Sequence, residues 1–229
     1  RDIMSTETKT GMDTKPEANQ RQKQAETACK MSRSKVRTIT QIAMMGAAAV
    51  ILMLFEIPLP FAPSFYEIDF SEVPVLIGCF TMGPMAGVLI ELVKVLLNLL
   101  INGTVTAGIG EAANFLIGCA FCVPAGLIYQ RLHSRKGAVI GMTAGTVVMT
   151  VVGSLINAFV LLPAYTMLMG LSLETIIGMG TAVNPAITNI TTLVLFAVVP
   201  FNLLKGVLVS IIVLLIYKKI SPILKMSRS

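Results

Sequence analysis

From Thr38 to Tyr217 the chain is a succession of apolar runs, and only two basic residues, Lys94 and Lys205, fall inside them. Apolar runs near 20 residues match the hydrocarbon core of a bilayer. With no water to satisfy them there, backbone N–H and C=O groups must pair within the segment, so such runs fold as helices. The whole chain agrees: 55% of residues are hydrophobic, 13% are charged, and mean hydropathy is +0.80. An all-α, multi-pass integral membrane protein is predicted, with lipid as one partner.

The net charge of +6 is not a nucleic-acid signal, because of where the charges sit. Nine of the 18 basic residues precede the first apolar run; Arg131, Arg135 and Lys136 share one loop; Lys218, Lys219, Lys225 and Arg228 follow the last run. Residues 1–36 are polar and lack apolar periodicity, so they read as a disordered tail. They begin on Arg and carry no cleavable signal-peptide pattern. Residues 37–221 form the predicted membrane domain, and 222–229 a basic cytoplasmic tail.

Six spans are predicted: about 38–55, 71–82, 84–101, 109–129, 138–162 and 200–217. Asp69 or Ser71 can cap the second, with Glu72 in its first turn. Pro84 suits the start of the third and Pro200 the start of the sixth. The stretch 163–199 reads as a long outer connection holding an apolar piece, Ile190–Val199, too short to span. Lys and Arg flank one set of loops, while 56–70, 102–108 and 163–199 carry none. The positive-inside rule then puts both termini in the cytoplasm. Asn157, Asn202 and Lys205 fall in the outer half, near an acidic outer mouth.

The chain has no G-x-x-x-x-G-K-[ST] and no G-x-S-x-G, and its single His, His133, sits in a basic loop. It is therefore not expected to be an enzyme or to hydrolyse ATP. No cofactor or metal is implied. Cys119-x-x-Cys122 lacks the second pair a zinc site needs and reads as packing. The rows Gly118/Cys122/Gly126 and Gly137/Gly141/Gly145 suit close helix packing, as do Ala43 and Ala47. Any of these faces could instead dock a separate membrane subunit. Glu91 and Lys94 pair at i,i+3, either neutralising one another or forming an ion relay.

A lysine at the bilayer centre costs about 2.5–3.5 kcal/mol on insertion scales unless it reaches a polar cavity. Lys205 shares a helix face with Asn202. Asn offers both a donor and an acceptor, Lys only donors. With Asn157 these groups suit a neutral heterocycle with carbonyl and N–H edges. Hydrogen bonding between helices would account for them equally well.

Several stretches carry a resemblance across about 34–224: Pro58-Leu59-Pro60-Phe61, Asp69-Phe70-Ser71-Glu72-Val73-Pro74, Gly83-Pro84-Met85-Ala86-Gly87, Asn114-Phe115-Leu116, Asn157 to Pro163, and Pro200-Phe201-Asn202-Leu203-Leu204-Lys205-Gly206. In order and spacing they resemble the riboflavin-type substrate-binding (S) components of energy-coupling factor (ECF) transporters. The resemblance implies a six-helix S-component fold with an outward-facing vitamin site. Asn157, Asn202 and Lys205 would hydrogen-bond the flavin, Asn114 would join them, and the loop bearing Leu59 and Phe61 would cover it. Ala43 and Ala47 would dock the coupling membrane subunit, which works with two cytoplasmic ATPases. Two other readings are an S component for another vitamin or a purine-like ligand, and a proton-coupled secondary transporter using Glu91 and Lys94. A ligand-free membrane scaffold is a third.

Overall fold

The computed structural model describes residues 35–58, 67–104, 106–168, 170 and 172–226. The chain divides into two compact units, Arg1–Thr40 and Gln41–Ser229. In the first, residues 35–40 are helical, and the Thr40 hydroxyl donates to the Val36 carbonyl at 2.9 Å.

The elements in order are α1 (Lys35–Met53), β1 (Ile57–Pro58), β2 (Glu67–Ile68), α2 (Glu72–Met82), α3 (Pro84–Asn102), α4 (Ile109–Leu132), α5 (Arg135–Ile156), α6 (Leu162–Leu168), α7 (Leu173–Val183), α8 (Ile190–Leu193) and α9 (Val199–Met226). β1 and β2 pair antiparallel, Ile57 opposite Ile68. A π turn at Asn157–Leu161 joins α5 to α6, and another at Val194–Val198 joins α8 to α9.

Among the described residues five continuous helices are long and apolar enough to cross a membrane: Lys35–Met53, Pro84–Asn102, Ile109–Leu132, Arg135–Leu168 and Ile190–Tyr217. Two further apolar helices are shorter, Glu72–Met82 and Leu173–Val183. The large exposed side chains fall in rows on the long helices, such as Val147/Val151/Leu155/Phe159 and Leu203/Val207/Ile211/Leu215. Rows at i,i+4 make an apolar outer face, as a lipid-facing helix requires.

Small residues bring the helices together. A Cβ at Gly141 would sit 2.6 Å from the Ala125 carbonyl, and one at Gly145 2.5 Å from that of Phe121, so α5 lies directly on α4. A Cβ at Gly206 would meet the Thr146 side chain at 2.6 Å, which sets α9 against α5. The rows on α4 and α5 are thus used within the bundle. Cys119 and Cys122 are free thiols, and the Cys79 thiol donates to the Cys122 carbonyl at 3.1 Å. Gly83, at φ 105°, turns the chain between α2 and α3 in a conformation that a side chain would strain, and Pro84 then opens α3.

One expected boundary is corrected. Pro200 does not start the last helix; the helix begins at Ile190 and runs through Pro200. Proline lacks an N–H and its ring crowds the carbonyl four residues back. The chain widens by one residue ahead of it: the Val199 N–H bonds to the Val194 carbonyl. Pro163 is accommodated in the same way, with the Leu162 N–H on the Asn157 carbonyl. The piece 190–199 is therefore part of a membrane-length helix, not a separate interfacial one. Described residues from the rest of that connection pack as well. Leu162, Ile176, Ile187, Leu193, Ala197 and Val198 form a second apolar core. Its helix α7 starts at Ser172, whose hydroxyl accepts from the Thr175 N–H at 3.1 Å.

Candidate functional site

The two π turns carry the candidate site. Asn157 opens the first, and Asn202 lies one turn beyond Val198, the last residue of the second. π turns rotate the residues around them out of α-helical register and recur at functional sites. Each amide donates to a carbonyl of its own helix: Asn157 Nδ2 to Gly153 at 2.9 Å, and Asn202 Nδ2 to Val198 at 2.9 Å. The two meet at Gly153, where a Cβ would lie 3.1 Å from Asn202 Nδ2 and 3.2 Å from its Oδ1. Both asparagines are buried, at 6% and 3% exposure. For Asn202 the bond to Val198 uses one of two N–H donors, and the amide oxygen remains as an acceptor.

Lys205 lies a turn further along α9 and is paired. Its Nζ sits 2.9 Å from Asp69 Oδ2, and both side chains are largely buried. Asp69 Oδ1 accepts from the Ser71 N–H at 2.8 Å and from the Ser71 hydroxyl. Burial alone would raise the Asp69 carboxyl; the ammonium groups of Lys205 and Lys94 and the Ser71 hydrogen bonds outweigh it and hold the acid well below the usual carboxylate range. Asp69 therefore serves Lys205 and Ser71, and neither it nor Ser71 caps the amides of α2 with its side chain. A capping signal in the sequence was in fact half of an ion pair.

Near this pair Glu56, which precedes β1, hydrogen-bonds through its side chain with Glu67 of β2. Burial, then the hydrogen bond and charge of Glu67, raise the Glu56 carboxyl to about 7. Asn114 is half-buried near the start of α4, the helix that packs against the Asn157 π turn. Leu59 and Phe61 lie outside the described residues. Glu111 acts locally, its Oε2 accepting from Thr104 Oγ1 at 3.0 Å and so tying the α3–α4 loop to α4.

The expected Glu91–Lys94 pair is a triad. Lys94 Nζ lies 2.5 Å from Glu91 Oε1 and 2.9 Å from Glu72 Oε1, with all three side chains at 0–2% exposure. Gly118 of α4 leaves the space Glu91 fills; a Cβ there would sit 2.3 Å from Glu91 Oε1. Glu72 was legible only as a helix-start acid, because its partner lies 22 residues on.

On α1, Gly46 packs on Val93 of α3 and Ala49 is fully buried. Ala43 and Ala47 face outward, exposed. The small residues of α1 thus face two ways, Gly46 and Ala49 toward the bundle and Ala43 and Ala47 away from it.

An apolar helical bundle with five membrane-length helices among the described residues, burying amides and paired charges, defines a multi-pass membrane protein. Residues 37–217 match the family model of the ECF transporter substrate-specific component. The chain is 35% identical over 196 residues to riboflavin transporter RibU of Staphylococcus aureus (strain TCH60), covering 86% of this chain and 96% of that protein. It is 32% identical over 198 residues to riboflavin transporter FmnP of Bacillus subtilis (strain 168), covering 85% and 97%. A solved structure of the S component of a bacterial ECF transporter matches with a TM-score of 0.65 at 35% identity, covering 83% of this chain and 99% of that one. The chain belongs to the family of ECF transporter substrate-specific components, which are transporter subunits and not enzymes.

Proposed function

We propose that this chain captures riboflavin at the cell membrane for an ATP-driven ECF importer. The observation that carries the reading is the meeting of Asn157 and Asn202 at Gly153, with Lys205 a turn beyond. Two amides and an ammonium offer the donors and acceptors that the carbonyl and N–H edges of an isoalloxazine need. Relatives named as riboflavin transporters, similar over nearly their whole length, support that choice of ligand. Asn114, Leu59 and Phe61 complete the ligand contacts in this proposal.

The topology proposed is six spans, with the short α2 as the second and both termini cytoplasmic, which places the site on the outer side. Ala43 and Ala47 then dock the coupling membrane subunit, and two ATPases supply the work of release. Their exposure supports that role, since a small-residue face lets another helix approach closely. The engagement of Glu91 and Lys94 with Glu72 in one buried triad favours a structural role over proton coupling.

Flavin fluorescence tests the reading. The purified chain should be yellow as isolated, or should quench added riboflavin at micromolar concentrations. Colourless protein that leaves the fluorescence unchanged overturns it.

A further inference from the structure

Between α5 and α9, away from the asparagines, lies an open groove of about 340 Å³. On α5 it runs from Val139 to Val147, about 12 Å of helix. Its far wall is α9 from Leu203 to Leu214. Three hydroxyl residues line it, yet each donates to its own helix: Thr143 to the Val139 carbonyl at 2.9 Å, Thr146 to Met142 at 2.9 Å and Ser210 to Gly206 at 2.6 Å. Their donors are spent, so the groove presents methyl and methylene surface. An apolar groove open along one side fits a hydrocarbon chain.

The two helices run antiparallel, since Gly206 meets Thr146 while Asn202 meets Gly153. Val139 and Leu214 therefore share one end of the groove. At that end Arg135 and Lys136 occupy the first turn of α5, both exposed, and neither forms an ion pair among the described residues. Cations are disfavoured at a helix N-terminus, where the macrodipole is positive. No Asp or Glu lies in α5 or α9 to relieve them. An anion placed at this end would be held by both side chains and by the helix dipole.

We propose that this groove holds one acyl chain of an anionic membrane phospholipid, with the phosphate at Arg135 and Lys136. The site stands on α5 and α9 alone and is independent of which vitamin the protein carries.

Native mass spectrometry of the full chain in micelles, titrated with phosphatidylglycerol or phosphatidylcholine, tests it. Phosphatidylglycerol is retained at lower concentration than phosphatidylcholine. Arg135→Gln with Lys136→Gln weakens phosphatidylglycerol retention about thirtyfold and removes its advantage over phosphatidylcholine. Ile211→Trp fills the groove and releases both lipids; Val207→Phe serves if that variant does not fold. Equal retention of the two lipids, or retention unaltered in the variants, overturns the proposal. So does a lipid-free two-copy species that Ile211→Trp abolishes, which would assign the groove to self-association.

Discussion

Lys205 of α9 and Asp69 of the loop before α2, 136 residues apart, form an ion pair at 2.9 Å. Removing one partner of a mostly buried pair leaves the other charge without compensation. Asp69→Asn is expected to destabilise the protein by about 3 kcal/mol. Adding Lys205→Met to it should recover part of the loss. Thermal unfolding of the four proteins in one detergent gives the coupling, and additive losses would deny it. If the site binds flavin as proposed, Lys205→Met also weakens quenching without unfolding the chain.

Gly153 is the contact between the two asparagines. A β-carbon there would crowd the Asn202 amide at 3.1–3.3 Å. Gly153→Ala is expected to weaken ligand binding several-fold, and Gly153→Val more, with little change in the unfolding midpoint for Ala. Titration with riboflavin by fluorescence measures both. Unchanged affinity in Gly153→Val would remove Asn202 from the site.

The Glu72–Lys94–Glu91 triad joins α2 to α3 and lies against α4. Lys94→Met leaves two buried carboxylates without their cation, and a loss of about 3–5 kcal/mol is expected. That exceeds the loss for Lys205→Met, which leaves a single carboxylate, Asp69, still held by the Ser71 N–H and hydroxyl. Yields of folded protein and unfolding midpoints rank the two; the reverse order would refute the structural role of the triad.

Ala43→Leu with Ala47→Leu changes only exposed positions on α1. The variant should fold and bind flavin with wild-type affinity, while cellular uptake falls at least tenfold through lost docking. Intact uptake by the folded variant would place the docking face elsewhere.

The hairpin before α2 should respond to pH. The folded-state pKa of Glu56, about 7, lies above its ordinary value of 4.5, so the folded hairpin binds more protons than the open one between those values. Its contribution is fully present below about 4.5 and is lost as pH rises through about 7. Asp69 acts oppositely: its contribution is fully present above its ordinary value of 3.8 and falls away progressively as pH drops below it. Hydrogen exchange at Ile68, corrected for intrinsic rates, should accelerate between pH 5 and 8.5. Glu56→Gln should flatten that profile, and an unchanged profile would rule out Glu56 as its source.

The membrane class, the long helices and the absence of ATP-hydrolysing motifs follow from the sequence alone. They depend on local quantities: run length, hydropathy and the chemistry of short motifs. Asn157, Asn202 and Lys205 were visible for the same reason, as polar groups in apolar runs. What they touch was not visible. The ion pair of Lys205 with Asp69 and the place of Glu72 beside Lys94 join residues distant in the chain, and only the packing of α2, α3 and α9 brings them together. The start of the last helix was misplaced because Pro200 is an ordinary helix-start signal. Tertiary packing of Leu193, Ala197 and Val198 holds the turn before it helical, and a π turn absorbs the missing N–H. Ala43 and Gly46 show the same division. Both are small residues on one helix, where another segment can approach closely. Only the packed bundle decides that Gly46 faces Val93 and Ala43 faces out.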